Sequence, residues 1–331
     1  MTSGNTLVLK HLRIARFCFL LQALAPMTLP TYKGSTLRGK FGHTLKKVIC
    51  AAKYKQCKDC ILKPRCLYIY LFETEAYPGY AQSGYSRDLP RPFVLVPPLE
   101  KKQIYKEGET FICELVLIGK AVEYLPYFVF TMEEMGRSEM RQDGWRYRVI
   151  QVEHIGPMAP NQVIYSGEEK ILHSLTFTVT GKDLMNLWAN QTTTRMSLQF
   201  LTPIRLKHHE HFSDTPEFHV LFRRLLDRII ALSWCHEEIS SDPDLQALKM
   251  DAEKIRMTAH QTWWHDWERY SNRQGTRMKL GGLLGTVTYE GDLTPFLPYL
   301  ALGEWVHVGK GATFGLGKYR IIREDKREVV S

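Results

Sequence analysis

No run in this sequence reaches the ~18 consecutive apolar residues that a membrane-spanning helix needs. There is no G-x-S-x-G elbow, no Walker motif and no Asp/Glu cluster at metal-ligand spacing. The first two gaps exclude the familiar serine-hydrolase and nucleotide-triphosphate signatures, and the third leaves two-metal phosphodiester chemistry unsupported. Acidic residues are in deficit, 35 Asp and Glu against 44 Lys and Arg, for a formal charge of +9. That balance favours a polyanionic partner, nucleic acid before an anionic membrane. Hydrophobic residues at 44% and charged residues at 24% exclude a disordered or collagen-like chain. The apolar stretch 17–25, preceded by Lys10, Arg13 and Arg16, imitates a signal peptide. Gln22 interrupts it and Pro26 follows the only small-residue cleavage point, so a cytoplasmic protein with no cleaved leader is expected.

What is present is enough chain, 331 residues, for two domains. A β-type run occupies 8–24. A helix follows from Ser35 or Thr36, its expected cap, to about Cys50, with Leu37, Phe41, Leu45 and Val48 on one side. Strands are predicted at RPFVLVP, TFICELVLIG, 146–155 and 161–166, with a helix near 122–135. The second half opens with MSLQFLTPIRLK, then a helix over 217–235 and another after Asp242-Pro243, a good cap and first-turn pair. Strand-like segments follow at 262–273 and 278–290, then a helix from Thr294 and a last strand, KYRII. Gly119, five residues, then Leu125-Pro126-Tyr127 is repeated as Gly291, five residues, then Leu297-Pro298-Tyr299. A β-type run precedes each glycine and an apolar helical segment follows each tripeptide. The pattern predicts an α+β protein of two tandem ferredoxin-like domains with antiparallel sheets, 1–165 and 166–331, the first carrying a Cys-rich insertion.

Four elements can carry chemistry. Between Lys33 and Arg65 stand ten cations, Arg38 and Lys40 among them, against one acid, Asp59. A merely solvated face mixes signs, so this one suits phosphate. His43 lies within it, with Lys40, Lys46 and Lys47 at helical spacing, and such neighbours favour the neutral imidazole that a general base requires. The second element is Gly309-Lys310-Gly311-Ala312-Thr313-Phe314-Gly315-Leu316-Gly317-Lys318. Too little chain follows it for a dinucleotide-binding βαβ unit, leaving two readings: a turn that grips a phosphate backbone with its N–H groups and lysines, or a hairpin that needs positive φ. Third, Cys50, Cys57, Cys60 and Cys66, four of the seven cysteines, have a C-x-x-C core that suits structural Zn²⁺, or alternatively an iron–sulfur cluster. They would brace a Lys-rich knuckle, while Cys18, Cys113 and Cys235 lie in apolar runs as core thiols. Fourth, Arg269, Tyr270, Arg273, Arg277 and Lys279 form a basic, aromatic stretch fit for stacking and phosphate contact. His208-His209-Glu210-His211 reads as a polar strand end.

Residues 262–322, with the G-x-G-x3-G-x-G element, resemble the C-terminal domain of the CRISPR-associated endoribonucleases that process precursor crRNA, the Cas-six family of the RAMP superfamily. STLRGKFGHTLKKVIC and CLYIYLFE resemble the N-terminal part of one branch. The resemblance implies CRISPR repeat RNA or crRNA as partner, with other CRISPR effector subunits as further partners and no membrane. It implies cleavage with no catalytic cofactor: a base removes the 2′-OH proton, that oxygen attacks the adjacent phosphate, and a 2′,3′-cyclic phosphate and a 5′-OH result. The positions matching the family's catalytic residues are His43, Tyr32 and Lys46 or Lys47. Some members bind without cutting, so the alternative is a non-catalytic RAMP subunit that grips crRNA.

Overall fold

The structure, a computed structural model, describes residues 10–52, 56–74, 89–137, 145–157, 160–188, 191–208, 211–239, 244–266, 268–271 and 276–322. The first half is built from β1 (Arg13–Ala23), α1 (Gly34–Ile49), α2 (Leu67–Phe72), β2 (Phe93–Val96), β3 (Thr110–Ile118), α3 (Leu125–Arg137), β4 (Tyr147–Ile155) and β5 (Gln162–Ser166). Its antiparallel sheet runs β2-β3-β1-β4-β5. The alternation of β1 explains its place at the centre. Ala15, Phe17, Phe19 and Leu21 are buried with Leu37, Phe41 and Leu45 of α1 and Phe128 and Met132 of α3. The other face carries Arg16, Cys18 and Leu20, all half-buried.

The second half comprises β6 (Arg195–Ile204), α4 (Phe218–Glu237), β7 (Arg256–His265), β8 (Gly282–Glu290), α5 (Leu297–Val306) and β9 (Tyr319–Ile322). Its sheet runs β7-β8-β6-β9, again antiparallel, with α4 and α5 packed on one face. Setting β5 aside, both sheets place the fourth strand beside the first, then the third, then the second, which is the ferredoxin-like order expected from the repeat. The repeated glycines do the same work in each half. Gly119 (φ +60°) and Gly291 (φ +142°) turn the chain out of a strand into a short 3₁₀ segment, and α3 and α5 begin at Leu125 and Leu297.

Three details differ from the sequence reading. α1 begins at Gly34, one residue before the expected caps, and Lys33 at its cap position makes no side-chain capping bond. The strand expected over 262–273 begins at Arg256 and ends at His265, because its alternation is weak and nearly every side chain on it is exposed. The boundary expected at 165/166 falls inside β5, and Val179–Thr180 still pairs with β1, so the first half extends to about residue 180.

Candidate active site

α1 buries Gly34, Leu37, Phe41, Gly42 and Leu45, which leaves His43 exposed on the opposite side with Lys40, Lys46 and Lys47 within one turn. Burial, then Lys47, then Lys46 hold the His43 imidazole below its usual range, so it is neutral at pH 7. The cations around it are not equivalent. Lys47 is exposed. Lys40 lies over the Trp145 ring at 4.6 Å and Lys46 over Tyr68 at 5.4 Å, beside the Cys57 thiol. Lys33 is buried and donates to the Glu100 carbonyl at 2.7 Å, so it leaves the basic face. Arg38 packs between Phe72 (4.7 Å) and Phe314 (5.3 Å), which makes it a brace between α1 and the glycine loop, not the open phosphate contact expected of it.

That loop lies against the N-terminal end of α1. A side chain on Gly34 would meet the Phe314 carbonyl oxygen, and the Tyr32 hydroxyl donates to the same carbonyl at 2.7 Å. Burial raises the Tyr32 phenol far above its usual range. With its proton committed and its ionisation suppressed, Tyr32 is a strut and not the catalytic group its position suggested. Gly315, Gly317 and Lys318 likewise do not form the open phosphate grip expected of them. All three are buried, and the Lys318 side chain is only 9% exposed. Its ammonium donates to both carboxylate oxygens of Glu114 on β3, at 2.8 and 2.9 Å, and Arg16 on β1 donates to Glu114 at 2.8 Å. Lys318 therefore ties the two halves together and cannot hold phosphate. Gly309 and Gly311 are half-buried, and Lys310 is exposed at the loop's tip. At Gly315 (φ +80°) a side chain would fall 2.6 Å from Pro97 and 2.9 Å from the Leu95 carbonyl. Gly315→Val is therefore expected to destabilise the protein by about 2 kcal/mol or more, read as a lower thermal midpoint in the absence of RNA. An unchanged midpoint with lost RNA affinity would restore the phosphate-grip reading.

The four knuckle cysteines are all half-buried and unpaired by disulfide. Cys50, Cys60 and Cys66 line one cavity of about 870 Å³ with Ile61, Tyr127 and Phe130, while Cys57 neighbours Lys46. Among the described residues, no three Cys, His, Asp or Glu side chains converge in this arrangement, and Cys57 would have to leave Lys46 for the four thiols to meet. Cys113 and Cys235 are buried, as core thiols should be. Arg273 lies outside the described residues, as do the side chains of Arg269 and Lys279, although their backbones form the hairpin Glu268–Ser271 and Thr276–Lys279. The sequence reading passed over Trp263 and Trp264, adjacent on β7 and exposed. The signal was legible: alternation puts neighbouring residues of a strand on opposite faces, so one indole of such a pair has to face outward.

Residues 198–319 match the family model of the CRISPR-associated endoribonuclease Cas6, and residues 12–176 match a second model, described as an N-terminal domain. The second half of the chain carries the CRISPR Cas6 family domain. An uncharacterised protein of Archaeoglobus fulgidus is 25% identical over 301 residues, 88% of this chain and 92% of its own length. Two solved structures share the fold. Thermus thermophilus Cas6 superposes with a TM-score of 0.54 at 16% identity, covering 94% of this chain and 99% of that one. A partial Cas6-RT-Cas1–Cas2 complex gives 0.60 at 14% identity over 97% of this chain, which spans about half (48%) of that longer chain. The Cas6 model ends at β9 and takes in the glycine loop, so the family match covers the segment that anchors α1. No helix among the described residues is long and apolar enough to cross a membrane.

Proposed function

We propose that this chain binds CRISPR repeat RNA and cuts precursor crRNA once per repeat, without a catalytic metal. The observation that carries the reading is His43: exposed, held neutral, and set among lysines on a helix that the fold pins in place. In the reaction the imidazole takes the 2′-OH proton, O2′ bonds to phosphorus, and the P–O5′ bond breaks. O5′ leaves with a proton from water, giving a 2′,3′-cyclic phosphate and a 5′-OH. Lys46 and Lys47, one turn along α1, supply the positive charge that the phosphorane requires. Labelled repeat RNA incubated with the protein in EDTA tests this. Cleavage to a product bearing a cyclic phosphate is expected, and strict dependence on Mg²⁺ overturns it. Binding without cutting assigns the non-catalytic role in crRNA capture.

We also propose, on the spacing of the C-x-x-C core, that Cys50, Cys57, Cys60 and Cys66 take up one structural zinc, Cys57 leaving Lys46 to do so. Elemental analysis is expected to find zinc at about one equivalent per chain. Iron with visible absorbance reassigns the site to an iron–sulfur cluster, and neither metal in protein purified anaerobically without chelator removes it.

A further inference from the structure

The second sheet has two unlike faces. The residues of β8 that point toward α4 and α5, Leu283, Val287 and Tyr289, are fully buried. The opposite face presents side chains of another kind. Register places Gln261 of β7, Thr286 of β8, Gln199 of β6 and Arg320 of β9 in one row across all four strands, by the pairs Gln261–Thr286, Thr286–Gln199 and Gln199–Arg320. None of these four is buried, and among the described residues no helix packs over the row. Arg320 is exposed, and its guanidinium Nε donates to Gln199 at 2.7 Å.

Trp263 stands two residues from Gln261 on the same face and is 57% exposed. An indole exposed on a strand offers an open π-face on which a base can stack. Its neighbour makes the contrast. Trp264 points to the other side, where its indole N–H donates to Asp266 at 2.8 Å and the ring lies against Gly281, which has no side chain to displace it. Trp264 is held by the protein, while Trp263 projects from a flat, polar surface. The acidic group in register on this face, Glu290, is neutralised by Arg195 at 2.6 Å.

We propose that this open sheet face binds a single-stranded segment of RNA, with one base stacked on Trp263, amide and hydroxyl groups of the row contacting base edges, and Arg320 contacting a phosphate. The inference rests on the RNA chemistry proposed above and adds a binding surface away from α1. An aromatic platform on a four-stranded sheet, flanked by cations and poor in free acids, suits unstacked bases better than a duplex. The amides and the single indole argue against a protein partner, which would need a broader apolar patch.

Fluorescence anisotropy with labelled octauridylate tests the proposal. Trp263→Ala should weaken binding by about 10-fold and Trp263→Phe by no more than about 3-fold, because stacking tolerates any aromatic ring. Trp264→Ala, on the other face, should bind as the wild type does. Arg320→Gln should flatten the salt dependence by about 0.7 in log–log slope, one phosphate contact on a single strand. Trp263 is exposed, so its removal leaves the core intact, and an unchanged thermal midpoint confirms that. If Trp263→Ala binds octauridylate normally while repeat RNA is cut normally, this inference fails alone. If repeat RNA is never cut but octauridylate binding still depends on Trp263, the cleavage reading fails and this one stands. Self-association of the wild type that Trp263→Ala abolishes, with no octauridylate binding, assigns the face to a second copy of the chain and overturns the proposal.

Discussion

His43→Ala is expected to slow cleavage of repeat RNA by on the order of 10²-fold or more, with RNA affinity little changed. The affinity should survive because phosphate attraction comes from lysines and arginines that the substitution leaves in place, while the proton transfer has no substitute on the exposed side of α1. The pH profile carries the same assignment. A base must be deprotonated to act, and burial with Lys47 and Lys46 holds His43 below its ordinary 6.5. The cleavage rate should therefore rise with pH through a midpoint that lies below 6.5. Lys47→Gln removes one of the groups that depress the imidazole, so the rising limb should move toward higher pH. A limb that stays fixed in that variant, or normal cutting by His43→Ala, would place the base elsewhere.

The second large effect concerns stability. Glu114→Ala is expected to cost about 3 kcal/mol or more, read by urea denaturation, because it strands Lys318 in the interior and leaves Arg16 without its carboxylate. Removing the stranded ammonium as well, in Glu114→Ala with Lys318→Met, should recover most of the loss, since a thioether is cheaper to bury than an unpaired cation. Burial alone would raise the Glu114 carboxyl, but Lys318 and then Arg16 more than offset it and hold it below its ordinary 4.5. Its stabilising contribution is thus complete above about pH 4.5 and is lost as pH falls below that toward the folded value. Full stability of the single variant, or no recovery in the double one, would mean that the pair is not what joins the halves.

These two sites also show where reading a sequence stops. The duplicated order of strands and helices was legible because Gly119 with Leu125-Pro126-Tyr127 and Gly291 with Leu297-Pro298-Tyr299 mark the same local turn twice, and local turns are written in local residues. His43 among lysines was legible for the same reason, since helical spacing alone brings them together. Lys318 was misread because its partner lies 204 positions earlier, and no spacing rule separates a lysine bound for a buried carboxylate from one bound for phosphate. Tyr32 failed similarly, its hydroxyl meeting a carbonyl 282 positions later. The C-x-x-C spacing also says nothing of Cys57 lying beside Lys46 and outside the cavity that the other three cysteines share. That placement depends on the tertiary position of α1.

The bond from Tyr32 to Phe314 has a consequence for the order in which the protein can come into being. The helix that carries His43 leaves the ribosome early, but the surface that receives its first turn is made some 282 residues later. At roughly 5–20 residues per second of synthesis, α1 waits on the order of tens of seconds beside an incomplete neighbour. During that interval its basic face is already present while the contact that orients it is not. Under the proposed chemistry, a nascent chain would attract RNA before it could hold a 2′-hydroxyl in line for attack, and cutting would begin only when the loop around Phe314 emerges and folds against the helix.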